Sequence, residues 1–256
     1  GINNQITANN IEFTAVEEAT NGTVIGTTSA DEFTLVGTKQ VEANDITFGN
    51  VTGVAGGDGN DEIIGASNQV WQLSGINNQI TANNIEFTAV EKATNGTVTG
   101  TTGIDAFTVS DDAGTENQVS ANAILFSNIS SVTAGDNADT VSGSNIWNLL
   151  STGFETSGIS FFDIVTANST SAATLTGTTS ADSFLLAGDN QVIVKTTTFN
   201  NVTEVAAGNG DDEIIGASNQ AWQLSGINNQ ITANNIEFTA VEKATNGTVT
   251  GTTGID

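Results

Sequence analysis

No proline, cysteine, methionine, histidine, tyrosine or arginine occurs in the 256 residues, and the only cationic side chains are Lys39, Lys92, Lys195 and Lys243. So few cations cannot neutralise a phosphate backbone, which excludes nucleic-acid binding. Without histidine and cysteine the usual zinc, haem and iron–sulfur ligand sets are missing, as are Ser-His-Asp and Cys-His catalysis. Any metal must be held by oxygen. No apolar run here approaches the roughly 18 residues that span a bilayer, so no membrane insertion is expected. Disulfides are absent, and the lack of proline suits a chain whose backbone N–H groups are needed for strand ladders. Charged residues are only 13%, so the net charge of −25 reflects missing cations rather than dense charge.

What is present is repetition. Residues 75–105 recur unchanged at 226–256, and residues 1–22 match 75–96 with Glu18 in place of Lys92. The matching blocks 61–105 and 212–256 differ only at Val70 versus Ala221 and set a large period of 151 residues. Inside it runs a shorter repeat marked by Gly26, Gly65, Gly100, Gly143, Gly177, Gly216 and Gly251, with a mean length of about 37 residues. One continuous array over 1–256 follows: a partial unit 1–22, units 23–61, 62–96, 97–139, 140–173, 174–212 and 213–247, and a partial unit 248–256.

Within each unit, short segments such as Asn84-Ile85-Glu86-Phe87-Thr88 alternate apolar and polar residues, the period of a strand with one buried face. Clusters of Gly, Asn, Asp and Ser lie between them and mark turns. Helical spacing is nowhere sustained. A unit of this length is short for a propeller blade and far short of a sandwich domain, but it accommodates roughly two solenoid coils. The expected fold is all-β: a β-solenoid, read as a right-handed parallel β-helix. Its core is expected from Phe33, Phe48, Phe87, Phe107, Phe126, Phe184, Phe199 and Phe238, with Trp71, Trp147 and Trp222 taking the place of Phe33, Phe107 and Phe184 in alternate units. Asn-x-Ser/Thr occurs at seven asparagines, the number that composition alone predicts.

The sharpest motif is Gly56-Gly57-Asp58-Gly59-Asn60-Asp61-Glu62-Ile63-Ile64, which fits the nonapeptide G-G-x-G-x-D-x-U-x position by position. Ala207-Gly208-Asn209-Gly210-Asp211-Asp212 loses the first glycine, and Ala134-Gly135-Asp136-Asn137-Ala138-Asp139 a second one as well, at Asn137. The motif resembles the calcium-binding β-roll repeats of bacterial RTX exoproteins. The resemblance implies that Asp58, Asp61, Asp136, Asp139, Asp211 and Asp212 are candidate calcium ligands, with Ca2+ the one cofactor to consider and none required by the fold. The alternative for the same residues is a tight Gly-Asx turn kept for its geometry. In family arrays the nonapeptides follow one another directly, whereas Asp31 and Asp61 lie 30 residues apart.

Across its whole length the chain resembles the tandem-repeat β-solenoid regions of secreted bacterial surface proteins, including filamentous haemagglutinin-like and RTX-type adhesins. This implies an extracellular, cell-surface location and a structural role as the stalk or body of a fibre, filament or matrix, with the chain stacking on itself end to end or within a longer array. A calcium-dependent adhesin or glycan-binding module, engaging surface glycans or a neighbouring cell, is the alternative. A polysaccharide-active β-helix enzyme is more remote. Adjacent acids such as Asp211-Asp212 would point to opposite faces of a strand and not converge, and near-identical coils provide no unique cleft, so no enzyme is expected.

Overall fold

The computed structural model describes residues 5–8, 11–14, 18–110, 114 and 117–252. All regular elements among them are β-strands, 28 in number, and no helix occurs. The expectation of an all-β solenoid with stacked parallel coils is met. The chain forms two compact units, Gly1–Asp105 with Asn117–Val132, and Ala106–Glu116 with Thr133–Asp256.

Each unit is built from two facing walls of strands. In the first unit one wall is read from its inward residues: Ala19 lies beside Phe48, Phe48 beside Val41 and Val41 beside Leu35. The same wall continues from Phe33 to Ile63 and from Ile63 to Ala93. The other wall runs Val24, Val54, Phe87, Ile80, Leu73 and then from Trp71 to Val98. Pairings between successive coils are parallel, as a solenoid requires. Each repeat also contains a three-strand antiparallel meander, for example Glu32–Gly37, Gln40–Ala43 and the start of Ile46–Ala55. The chain skips ahead along a wall, folds back twice to fill the gap, and only then crosses to the other wall.

This zigzag sets the layer spacing. Ala19 and Ala93 hold equivalent places two repeats apart in the sequence, and five strand spacings separate them along the wall. In the second unit five spacings likewise separate Ala167 from Ala244. Two repeats therefore make five strand layers on a wall but only three circuits of the chain, because each meander fills two layers without crossing, so there are fewer than the two coils per repeat expected. Parallel neighbours are separated in sequence by one such meander, as in Phe33 with Ile63 and Phe184 with Ile214.

The zigzag also accounts for the alternation of phenylalanine and tryptophan. In the first unit the meander that begins at Phe33 lies in one wall and that at Trp71 in the other, and within the second unit Phe184 is divided in the same way from Trp147 and Trp222. Trp71 donates its indole N–H to the carbonyl of Asn95 at 2.6 Å, and Trp147 to the Ser169 hydroxyl at 2.7 Å. A buried indole needs such an acceptor. The two walls meet through their aromatics. In the second unit Phe199 of one wall lies 6.1 Å from Trp147 and 5.3 Å from Phe154 of the other. All the expected core aromatics are buried except Phe48, which is half-buried.

Long strands such as Lys92–Thr99 cross from one wall to the other and kink midway. The kinks fall on Asn21, Asn50, Asn95, Asn128, Asn201 and Asn246, all with φ between 51° and 73°. Asparagine is the residue that best tolerates this left-handed region, because its amide can hydrogen-bond locally. Its side chain then ties layers together: Asn95 Nδ2 donates to Gly65 O at 2.7 Å, and Asn128 Nδ2 to Asn95 Oδ1 at 2.6 Å. Six of the seven Asn-x-Ser/Thr sequences thus share one structural position. Composition predicts their number but not this placement.

Candidate functional site

The six candidate aspartates lie on one type of turn, which leads from the second wall back to the first. In the first unit the turns ending at Asp31, Asp61 and Glu91 stack on one another at a constant offset in sequence. Asp31 Oδ2 accepts the Thr27 hydroxyl at 3.0 Å and the Thr27 N–H at 2.5 Å. The N–H of Asp31 donates to Asp61 Oδ1 at 2.8 Å, and the N–H of Asp61 donates to Glu91 Oε2 at 2.8 Å. Glu91 Oε1 is held by Asn78 Nδ2 at 2.9 Å. The Asp61 and Glu91 carboxylates each satisfy a backbone N–H of the turn before, and Asp31 one of its own turn. Backbone bonds complete the stack: Glu62 N to Asp31 O at 2.9 Å and Lys92 N to Asp61 O at 3.0 Å.

The second unit repeats the column. Asp182 N donates to Asp212 Oδ1 at 2.7 Å, Asp212 N to Glu242 Oε2 at 2.9 Å, and Asn229 Nδ2 to Glu242 Oε1 at 2.7 Å. Asp139 occupies the matching turn position, fully buried, with its carbonyl accepting from Val165 and Thr166 at 3.0 and 3.1 Å.

The candidates fall into two sets. Asp61, Asp139 and Asp212 are completely buried, whereas Asp58, Asp136 and Asp211 are exposed at the turn tips. Neighbouring acids such as Asp211 and Asp212 thus face opposite ways, as strand geometry predicts. Among the described residues no group of three or more acidic side chains is placed to hold a metal ion. The space beside the buried carboxylate is also tight. A Cβ on Gly56 would lie 2.5 Å from Asp61 Oδ2 and 2.1 Å from Ala89 O, and the second unit has a real methyl there, on Ala207. The motif's glycines have a different task. Gly57 has φ +108° and a Cβ on it would lie 2.2 Å from Thr27 O, so glycine is required for the turn to sit against the turn of the layer below.

Burial pushes the Asp61 and Asp212 carboxyls above the usual aspartate value of 3.8, and the neighbouring acids add to the rise. The N–H groups of Asp31 and Asp182 oppose it by stabilising the charged form. The second oxygen of each, Oδ2, is buried with no hydrogen-bond partner.

Sequence reasoning found the central member of each column, saw the stretches ending at Asp31 and Asp182 only as degenerate relatives of the motif, and missed Glu91 and Glu242. Their constant offset from Asp61 and Asp212 was the available signal: it departs from the nonapeptide period because it is the spacing of parallel neighbours in the walls.

Outside the columns, side chains facing outward are mostly Thr, Ser, Asn, Gln and Glu, alternating with the buried positions along each strand. No aromatic among the described residues is exposed. A concavity in the first unit lined by Leu35, Val36, Gln69, Val70, Asn83 and Glu86 contains a single carboxylate. No family model, curated protein or solved structure matches the chain.

Proposed function

We propose that the chain is a structural repeat protein, the stalk or body of an extracellular bacterial fibre, filament or matrix, akin to the β-solenoid regions of filamentous haemagglutinin-like and RTX-type surface proteins. The observation that carries this reading is where the distinctive chemistry is used. The buried acids, the kink asparagines and the aromatics all bind one layer to the next. What remains on the outside is repetitive and mostly polar, with scattered apolar side chains such as Ile25, Ile76 and Ile104, and without an exposed aromatic on which a glycan could stack, among the described residues. Hydrolysis of a polysaccharide needs two carboxyls flanking one bond, and the concavity of the first unit has one.

Stacking of one repeat on the next is seen within the first unit: the strand Lys92–Thr99 is covered by the strand that begins at Ile124, with Leu125 N donating to Glu91 O at 2.8 Å, and Val98 is 1% exposed. The net charge of −25 is distributed along the array and opposes lateral clumping while leaving stacking intact.

Immunogold labelling of the producing cells, with electron microscopy of the purified protein, tests the proposal. Surface-associated fibres carrying the label are expected. A cytoplasmic label together with a purified protein that stays monomeric overturns it.

A further inference from the structure

We propose that Asp61 and Asp212 are two proton-binding sites built into the solenoid, and that proton uptake there tightens the stacking of layers. The geometry carries the argument. Each carboxyl is fully buried in the middle of an acidic column, with Oδ1 committed to the backbone N–H of the preceding turn and Oδ2 buried without a partner. The charged groups around Asp61 are all acids: Asp31 from the layer before, Asp58 on its own turn and Glu91 from the layer after. Asp212 is surrounded in the same way by Asp182, Asp211 and Glu242. The nearest lysines are directed elsewhere. Lys92 lies across from Glu62 on the wall, and Lys243 pairs with Glu213 at 2.9 Å. A carboxylate so placed is buried among other acids, and a proton removes the cost of its charge. The arrangement recurs one large period further along the chain with the same partners, so it belongs to the repeat and not to one irregular turn.

The sign follows from the direction of the shift. Both carboxyls hold their protons more tightly in the folded chain than the unfolded value of 3.8. The folded state is therefore weakest when they are ionised, gains stability as pH falls through the raised value, and has the full gain below about 3.8. Most proteins lose stability over this range because their carboxylates are salt-bridged; here only four lysines exist to pair with 29 acids.

The test compares the wild-type chain with the double variant Asp61→Asn, Asp212→Asn. Asparagine keeps the oxygen that accepts the turn N–H and removes the titration. Thermal midpoints are taken from about pH 7 down to about pH 4.5, in salt high enough to screen the surface acids. The wild-type midpoint is expected to rise by several degrees, and the rise to shrink by half or more in the double variant. An equal rise in both proteins overturns the proposal. Carboxyl 13C NMR of the wild-type chain is a second readout that does not require the variant to fold. Two aspartates titrating above the rest are expected, and all described aspartates titrating together would overturn it.

Discussion

Replacing Gly57 by alanine separates the two roles that the nonapeptide glycines can have, stacking of turns or opening of an ion cage. The backbone at Gly57 has φ +108°, which costs an L-residue about 1–3 kcal/mol. The added methyl would also stand 2.2 Å from Thr27 O in the neighbouring turn, where ordinary contact begins at 3.4 Å. Relief requires the two turns to separate, which strains the 2.8 Å bond from Asp31 N to Asp61 Oδ1 and the 2.9 Å bond from Glu62 N to Asp31 O. Overpacking of this kind adds about 1–3 kcal/mol, so the expected total is about 2–6 kcal/mol. Two other glycines serve as controls. Gly22 has φ +113° but nothing within 4 Å, so Gly22→Ala isolates the backbone cost. Gly103 has no positive φ and its nearest contact is Thr101 Oγ1 at 3.3 Å, so Gly103→Ala should fall within about 0.5 kcal/mol of wild type. Gly208→Ala repeats the experiment in the second unit, with φ +104° and Thr178 O at 2.2 Å. Urea unfolding followed by circular dichroism and tryptophan fluorescence gives the order. The stacking account fails if Gly57→Ala costs no more than Gly22→Ala, or if its cost appears only in the presence of calcium.

Other consequences can be measured on the same material. Calorimetry in millimolar calcium and in chelator is expected to give one and the same transition if the Asp61 and Asp212 carboxyls serve the turn N–H groups they accept; a calcium-dependent rise would support the ion-cage reading. Trp147→Ala removes an indole packed against Phe154 and Phe199 and bonded to Ser169, a loss of about 3–5 kcal/mol by urea unfolding. Asn95→Ala removes the amide that joins Gly65 O to Asn128 and the residue best suited to φ 73°, so about 1–3 kcal/mol should be lost. Glu213 behaves opposite to Asp212: Lys243 lowers its carboxyl from 4.5, so its small contribution is present above that value, fades as pH falls through the lowered one, and is removed by salt, as a Lys243→Ala titration at two ionic strengths would show.

The repeat, the all-β class and the identity of the core were legible in the residues themselves, because burial on one face of a strand imposes a period of two wherever the strand lies. Phe33, Phe87 and Trp71 are inside for that local reason. The alternation of Phe with Trp was visible as a pattern, but its cause was not. It depends on which wall holds the meander and on a carbonyl such as that of Asn95, 24 residues further along the chain. The nonapeptide shows the same division. Its sequence correctly marks a tight turn that needs glycine and a buried aspartate. Whether Asp61 meets an ion or the N–H of Asp31 depends on what lies one layer away, at a separation of 30 residues. That separation follows from the backward fold of each meander, and strand order is a choice among long-range pairings that leave the local hydrophobic pattern unchanged. The sequence by itself determined what is buried and where the chain turns. Only the tertiary structure decided which turns touch, and so gave the acids their work of joining one layer to the next.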